Sequence, residues 1–401
     1  MTMGNGQLGV GWRVERLGAM CEVIAGQSPQ GKFYNDTGTG TPFYQGKKEF
    51  GDKFIRAPKK WTSHITKMAY LNDILMSVRA PVGPINFATQ SLCIGRGLAA
   101  IRAGEDIDKD FLFYQLLSKQ NEIKGNEGAV FASINKAQIE NLEISLPSLP
   151  EQKRIVAILD EAFSGISLAV ANAEKNLTNA RELFESYLNN IFTQKGDIVL
   201  GKLSDITTDI TDGDHSAPPK SSEGIPFITI SNVNKKTGLI DFTKTFKVPE
   251  EYFNNLKLNK KPMFGDVLYT VTGSYGIPVK IPKGVDFCFQ RHIGLLRPNE
   301  RTHSSWLYYA LLSPMVFKQA TERATGTAQK TVSLRVLRSI QVPLMNWKEQ
   351  ESVVKKLDEM WMKTQYLESI YQQKLTALKE LKQSILQKAF NGELTQREEN
   401  V

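Results

Sequence analysis

Two kinds of hydrophobic spacing alternate along this chain, and each occurs twice. From Pro150 onward, apolar residues fall at Ile155, Leu159, Ala162, Ile166, Ala169, Ala173, Ala180, Leu183 and Tyr187, alternately four and three apart. That is heptad spacing, and it predicts a long amphipathic helix with a seam for a partner helix. Asn176 fills the one missing seat; it is either a register device or a tolerated solvent contact. Pro150 suits a first-turn position, Glu151 complements the helix dipole, and Gly196 follows the end. A second proline-free stretch, 346–390, carries Leu357, Met360, Trp361, Leu367, Tyr371, Leu378, Leu381 and Ile385 on its seam, with Leu375 and Leu386 alongside. It stops at Asn391-Gly392. Each helix is roughly 43 residues, about 65 Å. A helix this long with one apolar seam needs a partner, and its counterpart in the other half is the nearest candidate.

The segments ahead of the helices read differently. They are rich in Gly, Pro, Thr and aromatics and hold short β-branched runs such as Phe227-Ile-Thr-Ile230 and Val267-Leu-Tyr-Thr-Val271, with turn signals close by. Helical segments at 109–119 and 304–312 interrupt them. Each is a mixed α+β domain.

The two halves are copies. Glu151/Glu349, Gln152/Gln350, Val156/Val354, Leu159/Leu357, Asp160/Asp358 and Glu161/Glu359 match at one offset. Cys93/Cys288, Arg96/Arg291, Arg102/Arg297 and Tyr114/Tyr309 match at a slightly smaller one, Asp73/Asp266 and Gly83/Gly276 at a smaller one still, and Pro42-Phe43/Pro226-Phe227 at the smallest. A steady drift is what loop insertions between equivalent elements produce. The repeat is too long for a solenoid unit and has the size of a domain plus a helix. The predicted division is a first domain at 1–149, a helix at 150–195, a second domain at 196–345, a helix at 346–392 and a tail at 393–401. Two equivalent domains on a paired helical strut could act as a ruler for DNA, entering the major groove about two turns apart. The domains differ strongly in sequence while the helices agree, which suggests a constant scaffold and two different readouts; duplication followed by drift is the bland alternative.

Composition adjusts this picture modestly. A net charge of +8 favours a polyanionic partner without establishing one. Cys21, Cys93 and Cys288 include no Cys-x-x-Cys pair and are odd in number, so buried thiols in a reducing cytosol are expected rather than a disulfide framework. His64, His215, His292 and His303 lack zinc-ligand spacing, so no metal site is expected. No signal peptide and no run of about 18 apolar residues is seen, which predicts a cytoplasmic protein without a membrane span.

Two motifs are decoys. Gly26-Gln-Ser-Pro-Gln-Gly31-Lys32 has phosphate-loop spacing, but Phe33 stands where Ser or Thr should meet magnesium, and Tyr34-Asn-Asp-Thr-Gly-Thr-Gly-Thr-Pro42 cannot form the required helix. Ala217-Pro-Pro-Lys220 lacks the polar and aromatic ends of an adenine-methylase tetrapeptide. No catalytic residue and no cofactor site is therefore assigned.

Several segments together carry a specific resemblance. They are Asn72-Asp-Ile-Leu-Met-Ser-Val-Arg-Ala-Pro-Val-Gly83, Gly265-Asp-Val-Leu-Tyr-Thr-Val-Thr-Gly-Ser-Tyr-Gly276, Ser133-Ile-Asn-Lys136, Leu146-Pro-Ser-Leu-Pro-Glu-Gln-Lys-Arg-Ile-Val156 and Leu386-Gln-Lys-Ala-Phe-Asn-Gly-Glu-Leu394. The chain resembles the specificity subunits of type I restriction-modification systems along essentially its whole length. The resemblance implies an α+β architecture: two mixed α/β target-recognition domains joined by two long antiparallel coiled-coil helices, an internal pseudo-two-fold repeat. It implies that each domain reads one half of a bipartite site on double-stranded DNA in the major groove, with the helices setting the spacer. It further implies two modification (methyltransferase) subunits using S-adenosylmethionine at adenine N6, and restriction subunits using ATP and magnesium, with those cofactors on the partners.

For DNA contact, loop residues able to pair with base edges or phosphates are the candidates. The first domain offers Gln45, Lys47, Lys48, Arg79, Asn135 and Lys136. The second offers Asn232, Lys235, Lys236, Ser274, Tyr275, Arg291, His292, Gln329 and Lys330. For Arg96 and Arg291, a shared structural role competes with contact. The alternatives to a specificity subunit are a stand-alone DNA-binding scaffold or regulator, and an enzyme with an unrecognised site.

Overall fold

The computed structural model describes residues 11–120, 122–123, 133–193, 199–215, 217–235 and 237–394. It divides into two compact units, one of residues 1–173 with 373–401, the other of residues 174–372. Each unit thus takes a recognition-sized domain and part of both long helices.

The first unit runs β1 (Arg13–Arg16), α1 (Leu17–Met20), β2 (Cys21–Ala25), β3 (Tyr34–Asn35), β4 (Thr41–Tyr44), β5 (Trp61–Thr62), β6 (Met68–Ala69), β7 (Ile74–Ser77), β8 (Ile85–Phe87), β9 (Leu92–Ile94), β10 (Leu98–Ala103), α2 (Lys109–Ser118), α3 (Lys136–Glu140) and β11 (Glu143–Leu146), then enters α4 (Leu149–Thr193). Its central sheet has the order β2-β10-β7-β8, all antiparallel. A second sheet, β3-β5-β4-β9-β6, pairs β4 with β9 in parallel, Phe43 opposite Cys93. Alternate residues of β7 and β10 serve two cores. Ile74, Met76, Ala99 and Ile101 face a core shared with α2 and the helices, while Leu75, Leu98 and Ala100 face Tyr44, Leu92 and Ile94 of the second sheet. Burial on both faces explains why these strands read as continuous apolar runs.

The second unit repeats the plan. It holds β12 (Leu200–Lys202), β13 (Thr207–Asp212), β14 (Ile225–Ile228), β15 (Phe246–Val248), α5 (Glu250–Asn254), β16 (Val267–Thr270), β17 (Pro278–Lys280), β18 (Cys288–Phe289), β19 (Ile293–Pro298), α6 (Ser304–Leu312), α7 (Pro314–Glu322), α8 (Leu334–Ser339), β20 (Gln341–Pro343) and the start of α9 (Trp347–Phe390). Its central sheet, β13-β19-β16-β17, matches that of the first unit strand for strand, and β14 again pairs in parallel with β18, Phe227 opposite Cys288. An arginine on a buried aspartate pins both copies. Arg102 grips Asp73 at 3.0 and 2.9 Å, and Arg297 grips Asp266 at 3.0 and 2.8 Å. All three cysteines are buried free thiols.

The long helices pair within each unit. Lys382 lies over the Phe163 ring in the first. In the second, Phe184 meets Trp361 edge-on at 5.0 Å and Arg181 pairs with Glu368 at 3.0 Å. Numbers rise on one helix as they fall on the other, so the pairing is antiparallel. The seam differs from the heptad reading. Along α4 the buried apolar positions are Ile155, Leu159, Phe163, Ile166, Ala173, Ala180, Phe184, Leu188 and Phe192, while Leu183 is 52% exposed. A straight helix has 3.6 residues per turn, so a strict 3.5 repeat drifts around it and the later seats pass to the next residue. Asn176 is exposed, and the polar residue actually buried in the seam is Thr364. Leu381 is also exposed, and Leu386, Ala389 and Phe390 close the first unit's core.

One stretch of α4 meets the length and hydropathy of a membrane span, with mean hydropathy 1.5, contrary to the expectation drawn from unbroken apolar runs. Small residues raise the average without making a continuous run, and Ile155, Leu159, Phe163 and Ile166 of this helix are packed into the first unit's core.

Where each long helix starts, the same three side chains join it to its domain. Gln152 is fully buried; its Oε1 accepts from the Asp108 amide at 2.8 Å, and its Nε2 donates to the carbonyls of Pro147 at 2.9 Å and Asp106 at 3.1 Å. Gln350 does the same with the His303 amide at 2.7 Å and the carbonyls of Met345 at 2.8 Å and Arg301 at 3.0 Å. Eight residues on, Asp160 accepts from the Tyr114 hydroxyl and Asp358 from the Tyr309 hydroxyl.

Candidate nucleic-acid interface

In each unit, strand ends gather one set of loops. In the first unit the C-terminal ends of β2, β4, β7 and β9 meet the start of β10. The loop backbones are tied to one another: Gly26 N–H donates to Leu98 at 2.9 Å, Gln27 to Ile94 at 3.0 Å, Gly95 to Tyr44 at 2.8 Å and Val78 to Gly97 at 3.0 Å. The segment after the undescribed 124–132 joins them, as Ile134 N–H donates to Val78 at 3.1 Å and Ser133 bridges to Arg79.

The second unit builds the same cluster at the ends of β13, β14, β16 and β18. Gln290 N–H donates to Ile228 at 3.0 Å, Val271 to His292 at 2.9 Å and Val332 to Val271 at 2.8 Å. Thr331 bridges to Thr272 where Ser133 bridges to Arg79. The turns of both clusters need left-handed glycines, Gly83 at φ +106° and Gly276 at φ +93°. An added Cβ would also press on the Gln120 carbonyl at 2.9 Å and the Phe317 ring at 2.5 Å.

The nominated residues divide into those that stand on the cluster free to act and those already engaged. Gln45 sits above the Gly95–Gly97 backbone and accepts from the Ser28 hydroxyl at 2.9 Å. Lys47 and Lys48 are exposed in a short 3₁₀ turn that follows β4, and Arg79 is exposed on its loop. Arg291, Gln329 and Lys330 are exposed in the second cluster, with Ser274 and His292 half-buried beside them. The Lys330 carbonyl accepts from the Gly273 amide at 2.9 Å, and the residue is exposed. Lys235 is exposed in the tight turn after the 3₁₀ segment that follows β14. Lys236 lies outside the described residues.

Four nominated residues are engaged in local bonds. Asn232 is 5% exposed, and its carboxamide accepts from the Thr229 amide at 2.9 Å and donates to the Lys244 carbonyl at 3.2 Å, so it serves the fold. Asn135 caps α3, its Oδ1 accepting from the Gln138 amide at 2.9 Å. Lys136 pairs with Glu140 on the same helix at 3.5 Å. Tyr275 packs its ring on Phe317 and its hydroxyl donates to Thr321 at 3.2 Å. In Asn135, Asn232 and Tyr275 the side-chain polar group already has a partner within the domain, while Lys136 makes only an exposed surface pair.

The structure adds residues that the sequence reading did not nominate for contact. Arg96 is exposed on the β9–β10 loop, its amide donating to Ser28 Oγ at 3.1 Å. Its repeat mate Arg291 holds the same place, and the match between them was the available signal. The second cluster also carries carboxylates: Asp212 meets His215 at 3.0 Å, and Asp214 is held by the Tyr252 hydroxyl at 2.8 Å and Lys260 at 3.5 Å. A carboxylate at such a face can accept from a cytosine amino group. Phe33 stacks on His64 at 4.9 Å with Lys32 over its ring. The segment 26–32 is a loop and a 3₁₀ turn leading into β3, a strand where a phosphate loop would need a helix. Among the described residues no His, Cys, Asp and Glu cluster has the makings of a metal site.

The family model for the type I restriction modification DNA specificity domain matches residues 9–179 and again 196–377, once per repeat. Among curated proteins, the putative type I restriction enzyme MjaX specificity subunit of Methanocaldococcus jannaschii is 44% identical over 155 residues, 37% of this chain and 36% of that protein. The chain thus matches about a third of the length of that relative. The MjaVIII specificity subunit of the same organism is 24% identical over 375 residues, covering 86% of this chain and 85% of its own. A solved structure from work on complex assembly and conformational transition of the type I R-M system superposes with a TM-score of 0.79 at 22% identity, covering 97% of this chain and all of that one. With the model matched in both halves and the fold shared end to end, the chain belongs to the type I restriction modification DNA specificity domain family.

Proposed function

We propose that this chain is the DNA sequence-specificity subunit of a type I restriction-modification complex, with each loop cluster reading one half of a bipartite site in the major groove. The observation that carries the reading is the pair of repeat-related clusters, built on the same strand ends but furnished with different side chains. Gln45, Arg79 and Arg96 offer base-edge donors and acceptors in one; Arg291, His292 and Gln329 offer a different set in the other. Lys47, Lys48, Lys235 and Lys330 supply phosphate contacts.

The chain itself is non-catalytic in this reading. Two modification subunits dock on the helices, carrying S-adenosylmethionine chemistry to adenine N6, and restriction subunits bring ATP-driven cleavage. Supporting this, α9 exposes Met362, Tyr366 and Ile370 four residues apart, an apolar stripe facing away from the α4 seam.

The test is co-expression of the full chain with its modification subunit, followed by genome-wide detection of N6-methyladenine. A single motif with two unlike halves around a fixed gap is expected. Arg96→Ala and Arg291→Ala should each degrade one half only, by about 1–3 kcal/mol of discrimination. Stable complex formation without any bipartite motif refutes the reading.

A further inference from the structure

The joints between helix and domain are more alike than the domains they join. Tyr114 and Tyr309, Gln152 and Gln350, Asp160 and Asp358 are identical across the repeat and make the same bonds in each unit. The glutamine and aspartate of each helix are eight residues apart, which at 3.6 residues per turn places them on one face. Apolar contact already attaches each helix to its domain, through Ile155 and Leu159 in one unit and Val354 and Leu357 in the other. Such contact is non-directional. The hydrogen bonds are directional, and they fix rotation about the helix axis where packing alone leaves it loose. The surroundings of the joints are built from different residues. In both units a lysine lies over the ring of the paired tyrosine, but it comes from a different place. Lys53, ahead of β7, sits 4.9 Å from the Tyr114 ring and also reaches Asp160 at 3.1 Å and Asp110 at 3.2 Å. In the second unit Lys280 of β17 sits 5.2 Å from the Tyr309 ring, and Ser305 stands at the position of Asp110. The phenol–carboxylate pair and a cation over its ring are retained, while the residues that supply the cation and its carboxylate neighbour change.

We propose that Tyr114–Asp160 and Tyr309–Asp358 are positioning pairs for DNA recognition. Each sets the orientation of its loop cluster on the helix, and together they hold the gap between the two half-sites to one length. This rests on the function proposed above.

The experiment uses the full chain, co-expressed with its modification subunit, and reads N6-methyladenine at genomic sites with both native half-sites and a gap that is native, one base pair shorter or one longer. The combined Tyr114→Phe and Tyr309→Phe substitution is expected to raise methylation at off-length gaps, relative to the native gap, by about tenfold, the factor such hydrogen bonds carry, with half-site sequences unchanged. Asp160→Asn with Asp358→Asn retains an oxygen to accept from each phenol and should keep the single gap. Val342→Ala removes a buried side chain from the second unit's core without touching either pair, and should lower methylation evenly across gaps. The inference is overturned if the tyrosine variant leaves the gap ratio unchanged, or lowers all gaps evenly as Val342→Ala does. If the unmutated chain yields no bipartite motif, the functional reading itself falls, and this inference with it.

Discussion

Replacing Arg297 with alanine tests how far the buried ion pair holds the second unit's central sheet. Arg297 spans β19 to the turn before β16, with Nε and Nη2 on the two oxygens of Asp266 and Nη2 also on the Lys261 carbonyl at 2.9 Å. The side chains are 15% and 3% exposed, so the pair is largely out of water. Removing the arginine strands a carboxylate whose other partner is the Met263 amide at 2.9 Å. Breaking a buried pair by removing one partner costs about 3–5 kcal/mol. In the first unit Arg102 is 34% exposed and shares its charge with the outlying Glu22, so water can reach Asp73 once the arginine is gone. Arg102→Ala should therefore cost less, about 2 kcal/mol. The two units need not unfold together, so a single melting curve is the wrong assay. Hydrogen exchange read by mass spectrometry resolves them. Exchange of the β16 peptide, Val267–Thr270, should accelerate at least about a hundredfold in Arg297→Ala. The β7 peptide, Ile74–Ser77, should accelerate roughly thirtyfold in Arg102→Ala. Equal acceleration in both, or less than fivefold in Arg297→Ala, refutes the argument that desolvation decides the difference.

Asn232→Ala should destabilise the second unit by about 2 kcal/mol, because the Thr229 amide and the Lys244 carbonyl lose their partner; denaturation of the free chain measures this, and an unchanged midpoint with weakened DNA affinity would restore Asn232 to the contact surface. The thiols give a pH prediction. Burial, aided by nearby Asp214, pushes the Cys288 thiol up to about 12, and burial pushes Cys21 up to about 11. Both folded values exceed the ordinary 9.0, so the folded state keeps protons the unfolded chain releases, and this contribution to stability is complete below pH 9 and declines as pH rises through 11 to 12. Iodoacetamide at pH 8 should leave both unlabelled until denaturant is added; rapid native labelling would contradict their burial.

The repeat is legible in sequence because the residues that match, Arg102/Arg297, Tyr114/Tyr309 and Gln152/Gln350, make the same side-chain bonds in each unit. The helices are legible from their spacing, but the seam is not fully so, since Leu183 and Phe184 are both apolar and only the winding of the helix decides which turns inward. The loop surface is the least legible part. Asn135 and Asn232 have side chains suited to reading adenine, yet the same carboxamides cap a helix or staple a turn, and a sequence does not say which use prevails. Arg96 fails in the opposite direction: its match to Arg291 points equally to structure and to contact, until its exposure is seen.

The first unit's core is closed by Leu386, Ala389 and Phe390, with Phe390 edge-on to Phe111 at 5.4 Å. These residues come after Phe111 by more than the whole length of the second unit, whose own residues are contiguous. On the ribosome, the domain made first must therefore wait with one wall missing while the domain made second can finish. The order of synthesis and the order of completion are reversed, and the nascent chain carries an exposed apolar face through most of its translation, a period in which holdase protection matters most for this fold.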